Sequence, residues 1–189
     1  MIKLSLAELN IIRRTFSFYD FQNHNSLMGQ ILVKFKDDYE ITRFDDVQFG
    51  GLLEDFMKQA NILKSIAFKL IGSFSTENIV IAKYQPKWII DSNKSPILAE
   101  AFRLKKLRAN FSGAISVKDT ETIEEFFYAN FKYNSFTHFI IPDSKIIITP
   151  TDHLDLFIVS DDINKTFEIV SKIIDDIDID KVVTAEYRT

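Results

Sequence analysis

The stretch from Phe136 to Ser160, FTHFIIPDSKIIITPTDHLDLFIVS, constrains the fold of this chain more than any other. It holds three short runs rich in Ile, Phe, Leu and Val, separated by two polar breaks. Asp143-Ser144 follows a proline in the first break, and Pro150–His153 forms the second. Short apolar runs between Pro, Asp, Ser and Thr are typical of strands joined by tight turns. The stretch therefore predicts a three-stranded antiparallel meander.

We assign a register to the meander by treating Asp143-Ser144 as a two-residue turn and Pro150–His153 as a four-residue turn. Phe139 then lies opposite Ile148, and Ile148 lies opposite Asp155. Both faces of such a sheet are largely apolar, so neither face can lie fully in water. Either helices cover both faces, or one face is offered to a partner.

The same register gathers polar side chains at one end of the meander. His138 lies beside Thr149 on one face, and Asp155 lies behind them on the other face. The neighbouring loop adds three polar side chains, those of Thr151, Asp152 and His153, which we expect to contribute to binding a partner. Because a histidine oriented by a carboxylate is a common general base, His138, Asp152 and His153 are the candidate catalytic residues if the chain is an enzyme. Asp and Thr are also favoured in turns for structural reasons alone.

Composition and length place the chain among ordinary globular proteins. Of its 189 residues, 46% are hydrophobic and 26% are charged, which is typical of a domain with a substantial core. We expect a single domain over residues 1–189, with residues 91–95 as the one candidate boundary for a subdivision. The chain has no cysteine, and its histidines lack a recognised ligand spacing. We therefore expect no metal site and no cofactor.

The remaining elements can be predicted from capping and apolar spacing. Ser5 and Glu8 match a capping box, which starts a helix, and Gln30–Phe44 alternates about Asp37-Asp38 like a β-hairpin. Gly50-Gly51 precedes a helix but lacks the lysine of a phosphate loop. We predict further helices over 53–72, 96–109, 120–131 and 163–177, and strands over 78–84, 87–90, 111–117 and 178–187. The fold class is therefore α+β, an antiparallel sheet that includes the C-terminal meander and is packed with four to five helices.

An acidic run near the C-terminus is a candidate binding surface. It consists of Asp175, Asp176, Asp178 and Asp180. The run lacks the glycine and the final glutamate that a calcium-binding loop requires. It therefore predicts a surface that is either simply solvated or docks a basic protein.

A basic group in the middle of the chain is a second candidate. Its members are Arg103, Lys105, Lys106 and Arg108. Cations at the C-terminus of a helix complement the helix dipole, and they also suit a nucleic-acid contact. The net charge of −4 argues against general binding of nucleic acid. We therefore do not expect nucleic acid as the main partner.

The expected location is the cytoplasm of a bacterial cell, without membrane association. The absence of cysteine is compatible with a reducing compartment. The N-terminus lacks the apolar core of a secretory signal, and no apolar run approaches the ~20 residues that a membrane span needs.

The sequence favours a protein-binding module that acts by surface complementarity to a basic partner protein. Immunity proteins, antitoxins and regulatory proteins are of this general type. The acidic run and the apolar sheet support this hypothesis. Two alternatives stay open: a small hydrolase or transferase that uses His138, Asp152 and His153, and an accessory protein that binds nucleic acid through Arg103–Arg108.

Overall fold

The computed structural model of the chain describes residues 1–23, 25–47, 49–74, 78–89, 99–100, 103, 110–133, 137–177 and 181–189. The candidate boundary at 91–95 lies outside these residues, as does most of the helix predicted over 96–109. None of the described helices is long and apolar enough to cross a membrane.

An eight-stranded antiparallel sheet organises the described residues. The strands are β1 (Ile2–Ser5), β2 (Tyr19–Asp20), β3 (Asn25–Ser26), β4 (Gln30–Phe35), β5 (Ile79–Ile89), β6 (Asn110–Val117), β7 (Thr137–Ile141), β8 (Ile146–Pro150), β9 (Asp155–Ser160) and β10 (Val183–Arg188). The helices are α1 (Leu6–Arg14), α2 (Phe44–Val47), α3 (Leu53–Ser73), α4 (Thr120–Tyr133) and α5 (Ile163–Ile177). The order across the large sheet is β1-β6-β5-β7-β8-β9-β4-β10, and β2 and β3 form a separate pair. The predicted α+β class and the meander β7–β8–β9 are confirmed.

Helices α3, α4 and α5 cover one side of the sheet, which we call the helix face. Each helix buries the apolar stripe that its spacing predicts. Phe127 of α4 stacks on Phe139 of β7 with ring centroids 4.1 Å apart, and Leu63 of α3 and Val170 of α5 are fully buried in the same cluster. The main hydrophobic core therefore lies between the sheet and these three helices.

The opposite side of the sheet, which we call the α1 face, carries a second apolar cluster. Leu9 of α1, Phe16 and Phe18 pack there with Ile140 and Ile147 of the meander. Every residue of β7 and β8 is buried. Of the two alternatives for these strands, the chain itself covers both faces.

The predicted hairpin about Asp37-Asp38 is wrong. β4 ends at Phe35 and lies between β9 and β10. Leu32 is paired with Phe157 of β9 on one edge and with Glu186 of β10 on the other. Tyr39 folds back and stacks on Phe35 with ring centroids 5.0 Å apart. β4 therefore pairs with β9 and β10, which come from the C-terminal part of the chain. It does not pair with the residues after Asp38, as the alternating pattern predicted.

The predicted meander register is confirmed at the first turn and wrong at the second. Phe139 lies opposite Ile148 as predicted, but Ile148 lies opposite Ile158 and not Asp155. The N–H of Thr151 donates to the carbonyl of Asp155 at 3.1 Å, which leaves a three-residue loop where four were expected. The register of β9 against β8 therefore differs from the prediction by three residues. Because three is an odd number, each side chain of β9 lies on the opposite face of the sheet from the one predicted.

The inverted strand changes which side chains share a face. Asp155 and Phe157 lie on the α1 face with Thr149, while Leu156 and Ile158 join the core under the helix face. The loop closes because Leu154 adopts the left-handed conformation, with φ of 56°. Such a residue in a three-residue hairpin loop is normally glycine, and here a leucine holds the position while its side chain is buried.

Candidate functional site

His138 is a residue of the protein interior. It is 2% exposed, and its Nδ1 lies 2.7 Å from Oγ1 of Thr149 on the adjacent strand. Tyr19 and Phe21, from the segment after α1, meet its ring edge to face at centroid distances of 5.7 and 6.2 Å. This environment is that of a hydrogen-bonded core histidine, covered by aromatic rings.

Asp152 and His153 lie in the loop between β8 and β9. His153 is 60% exposed at its side chain, and its Nε2 lies 3.9 Å from Oδ1 of Asp152. The N–H of His153 donates to Oγ1 of Thr151 at 3.1 Å, and the Thr151 hydroxyl in turn donates to the carboxylate of Asp155. The loop therefore brings Asp152 and His153 together, and His138 is in contact with Thr149, Tyr19 and Phe21.

The pKa of the Asp155 carboxylate is shifted by its surroundings. Desolvation raises its pKa above the ordinary value, and the hydrogen bond from Thr151 opposes that shift. Asp152 presents a different feature, because its Oδ1 is buried and has no hydrogen-bond partner in the described part of the chain. Asp152 belongs to the hairpin loop, and Asp155 is the first residue of β9 after it.

The predicted acidic surface is partly visible. Asp175 and Asp176 are exposed in the last turn of α5, where no basic residue accompanies them. Negative charge at a helix C-terminus opposes the helix dipole, so helix stability does not explain these two residues. Asp178 and Asp180 lie outside the described residues.

The predicted basic group is represented by Arg103 alone, because Lys105, Lys106 and Arg108 lie outside the described residues. Arg103 is exposed, and its Nε lies 2.6 Å from Oε2 of Glu100. A second contact from its guanidinium reaches the other carboxylate oxygen of Glu100. The charge of Arg103 is therefore engaged within the chain.

A surface that the sequence analysis missed lies between α2 and α3. We call residues 45–55, of which the structure describes all but 48, the Phe49 loop. Phe49 is 89% exposed, and Leu52 and Leu53 beside it are more than half exposed. No other large hydrophobic side chain in the described residues is as exposed as Phe49. Exposed apolar groups that lie together mark interaction sites more often than single ones do.

Backbone hydrogen bonds form a turn at Phe49. The carbonyl of Asp46 accepts the N–H groups of Phe49 at 2.9 Å and of Gly51 at 3.0 Å. The Asp46 carboxylate accepts the N–H of Arg43 at 2.8 Å. Gly50, between Phe49 and Gly51, has φ of 106°, a backbone conformation that favours glycine. The exposed ring is thus presented on an ordered turn.

The Phe49 loop also carries concentrated negative charge. Asp45, Asp46, Glu54 and Asp55 are all exposed, and no lysine or arginine occurs between Arg43 and Lys58. Acidic residues in the first turn of α3 favour the helix dipole, but the dipole gives no reason for an exposed phenylalanine beside them. An aromatic residue and two glycines between two pairs of acids is the sequence signal that points to this loop.

Known proteins offer no guide to what these residues do. Among the described residues, no group of three or more His, Asp or Glu side chains is arranged to hold a metal ion. The chain matches no protein-family model, no curated protein and no solved structure.

Proposed function

We propose that the chain is a protein-binding module that acts by surface complementarity to a basic partner protein, and that the Phe49 loop is its principal contact. The observation that carries the proposal is the 89% exposure of Phe49 on an ordered turn among four exposed acidic residues. A few aromatic side chains supply most of the binding energy at protein interfaces. Their effect is largest when the binding conformation exists before the partner arrives.

The chemistry of the loop specifies the partner. An apolar pocket on the partner receives Phe49, with Leu52 and Leu53 at its margin. Lysine or arginine side chains around that pocket face Asp45 and Asp55. Complementary charge of this kind accelerates association and makes it sensitive to salt.

Asp175 and Asp176 extend the acidic character of the surface to a second element, the C-terminal turn of α5. A cytoplasmic immunity protein or antitoxin that masks the active site of a basic bacterial toxin is one module of this type, and a regulatory protein is another. The two alternative functions have weaker support, because His138 is 2% exposed and Arg103 is paired with Glu100.

The first experiment selects ligands from a random peptide library displayed on phage, with the purified protein immobilised at low salt. We expect the selected peptides to combine lysine or arginine with large apolar residues. Phe49→Ala should weaken their binding by about 30-fold, the loss typical of a buried aromatic hot spot. Ile11→Ala is the matched control, because Ile11 is also an exposed apolar residue and lies outside the loop.

A charge variant tests the electrostatic half of the proposal. Asp45→Asn with Asp55→Asn should slow association and flatten its dependence on salt. Selected peptides without positive charge, or peptides that bind Phe49→Ala as tightly as they bind the unmodified protein, would contradict the proposal. Thermal denaturation of each variant checks that the fold is intact.

A further inference from the structure

Strand β10 is the last strand in the order of the sheet, and β4 is its partner in the described part of the chain. The pairing is continuous and antiparallel, with Ala185 opposite Val33 and Tyr187 opposite Ile31. The N–H of Lys36 donates to the carbonyl of Val182 at 2.8 Å. Hydrogen-bonded and non-hydrogen-bonded pairs alternate along an antiparallel ladder. Ala185 and Tyr187 therefore direct their N–H and C=O groups away from β4, towards the outer edge.

The charges on β10 are complementary to those of a second β10 strand. Glu186 and Arg188 lie two residues apart on the same face of the strand. One carboxylate oxygen of Glu186 lies 3.3 Å from the Arg188 guanidinium, and the other lies 3.1 Å from Nζ of Lys34 on β4. When two copies pair antiparallel about Tyr187, Glu186 of each copy lies opposite Arg188 of the second copy. Pairing centred on Ala185 instead places Glu186 opposite Thr184 and forms neither cross-strand ion pair.

Apolar side chains lie at the same end of the strand. Tyr187 is 42% exposed, and its hydroxyl donates to the carbonyl of Met28 at 3.1 Å. Leu27 and Met28 are more than half exposed. A two-fold axis at Tyr187 brings the tyrosines of both copies together and places both Leu27-Met28 segments near the junction, where they can leave water.

We propose that the chain forms a homodimer in which β10 pairs antiparallel with β10 of a second copy, centred on Tyr187. A second copy is the partner at this edge because, in that register, Glu186 of each copy lies opposite Arg188 of the other copy. Backbone hydrogen bonds supply the affinity of such strand addition, and the side chains supply its register. The dimer is independent of the Phe49 loop and goes beyond the function proposed above.

The test compares two charge variants alone and mixed, by sedimentation velocity from about 1 to about 500 µM, the range in which weak protein contacts saturate. Glu186→Arg places arginine opposite arginine in its own dimer, and Arg188→Glu places glutamate opposite glutamate. Each variant alone should be monomeric. In the mixture, both cross-strand pairs are arginine with glutamate, so a heterodimer should form. Its formation also shows that both variants are folded.

Ala185→Pro supplies a second measurement. It removes an outward N–H without touching the ladder to β4, and proline is tolerated at such edge positions. It should abolish the dimer while circular dichroism stays unchanged. Phe49→Ala should leave the dimer intact, which separates this proposal from the proposed function. An unmodified protein that stays monomeric throughout the concentration range, or a mixture that behaves as its separate components, would overturn the proposal.

Discussion

Oγ1 of Thr149 lies 2.7 Å from Nδ1 of His138, across neighbouring strands that are closed to solvent. The pair lies beneath the rings of Tyr19 and Phe21, which belong to the segment that follows α1. Arg13 stacks on the ring of Phe21, with its guanidinium carbon 5.0 Å from the ring centroid. The hydrogen bond therefore joins β7 to β8, and the His138 ring carries the contacts with the covering segment.

Thr149→Val should destabilise the protein by about 1–3 kcal/mol, because it leaves a buried histidine nitrogen without its hydroxyl partner. Urea denaturation measures the change in the free energy of unfolding. Thr184→Val on β10 is the matched control, since Thr184 is only partly buried. It should change stability by no more than about 0.5 kcal/mol. An equal effect of both substitutions would contradict the role given to Thr149.

Asp155→Asn should stabilise the protein at neutral pH. Burial raises the pKa of Asp155 in the folded chain, so folding favours the protonated form. The favourable contribution of Asp155 is present below its unfolded pKa of about 3.9 and is lost as the pH rises through its higher folded pKa. The gain in melting temperature of the asparagine variant should therefore be largest at pH ~7 and shrink towards pH ~3.5. A gain in melting temperature that grows as the pH falls would contradict this prediction.

Gly113→Ala should disrupt the pairing of β1 with β6. A Cβ at this position would lie 2.0 Å from the carbonyl oxygen of Leu4, and φ is 136°. We expect a loss of more than about 2 kcal/mol. Gly72→Ala in α3 is the opposite case, because its added Cβ would meet no atom within 4 Å other than those of its own helical backbone, and helix propensity should raise stability by about 0.5 kcal/mol. Chemical denaturation of both variants tests the contrast.

Gly50→Ala should weaken binding through the Phe49 loop without a steric clash. The added Cβ meets nothing within 4 Å, but φ of 106° strains any residue other than glycine. The loop should therefore lose its ordered turn, and the affinity for the selected basic peptides should fall several-fold. Calorimetric titration measures this loss. An unchanged affinity would mean that the turn does not prepare Phe49 for binding.

Local patterns along the chain predicted the elements that depend on local physics. Ser5 and Glu8 form both hydrogen bonds of the predicted capping box. Phe126, Phe127 and Asn130 of α4 are buried along the stripe that their spacing predicts. In each case the residues that carry the signal also make the structure, within one or two helical turns.

Strand pairing depended on information that no local pattern contains. Turn residues near Asp37 resemble those of a hairpin, but the partners of β4 come from the far end of the chain. The register of β9 depends on Leu154 in the left-handed conformation, which leucine rarely adopts. The exposure of Phe49 likewise follows from tertiary structure, because an isolated aromatic residue gives the same sequence signal in a core and on a surface.

The position of β4 between β9 and β10 has a consequence for biosynthesis. A ribosome releases β4 long before either neighbour, so both edges of this apolar strand stay without their native partners until the C-terminal part of the chain has emerged. Contacts so distant in sequence slow folding, and exposed strand edges invite aggregation. We expect the nascent chain to depend on chaperones until β10 pairs with β4.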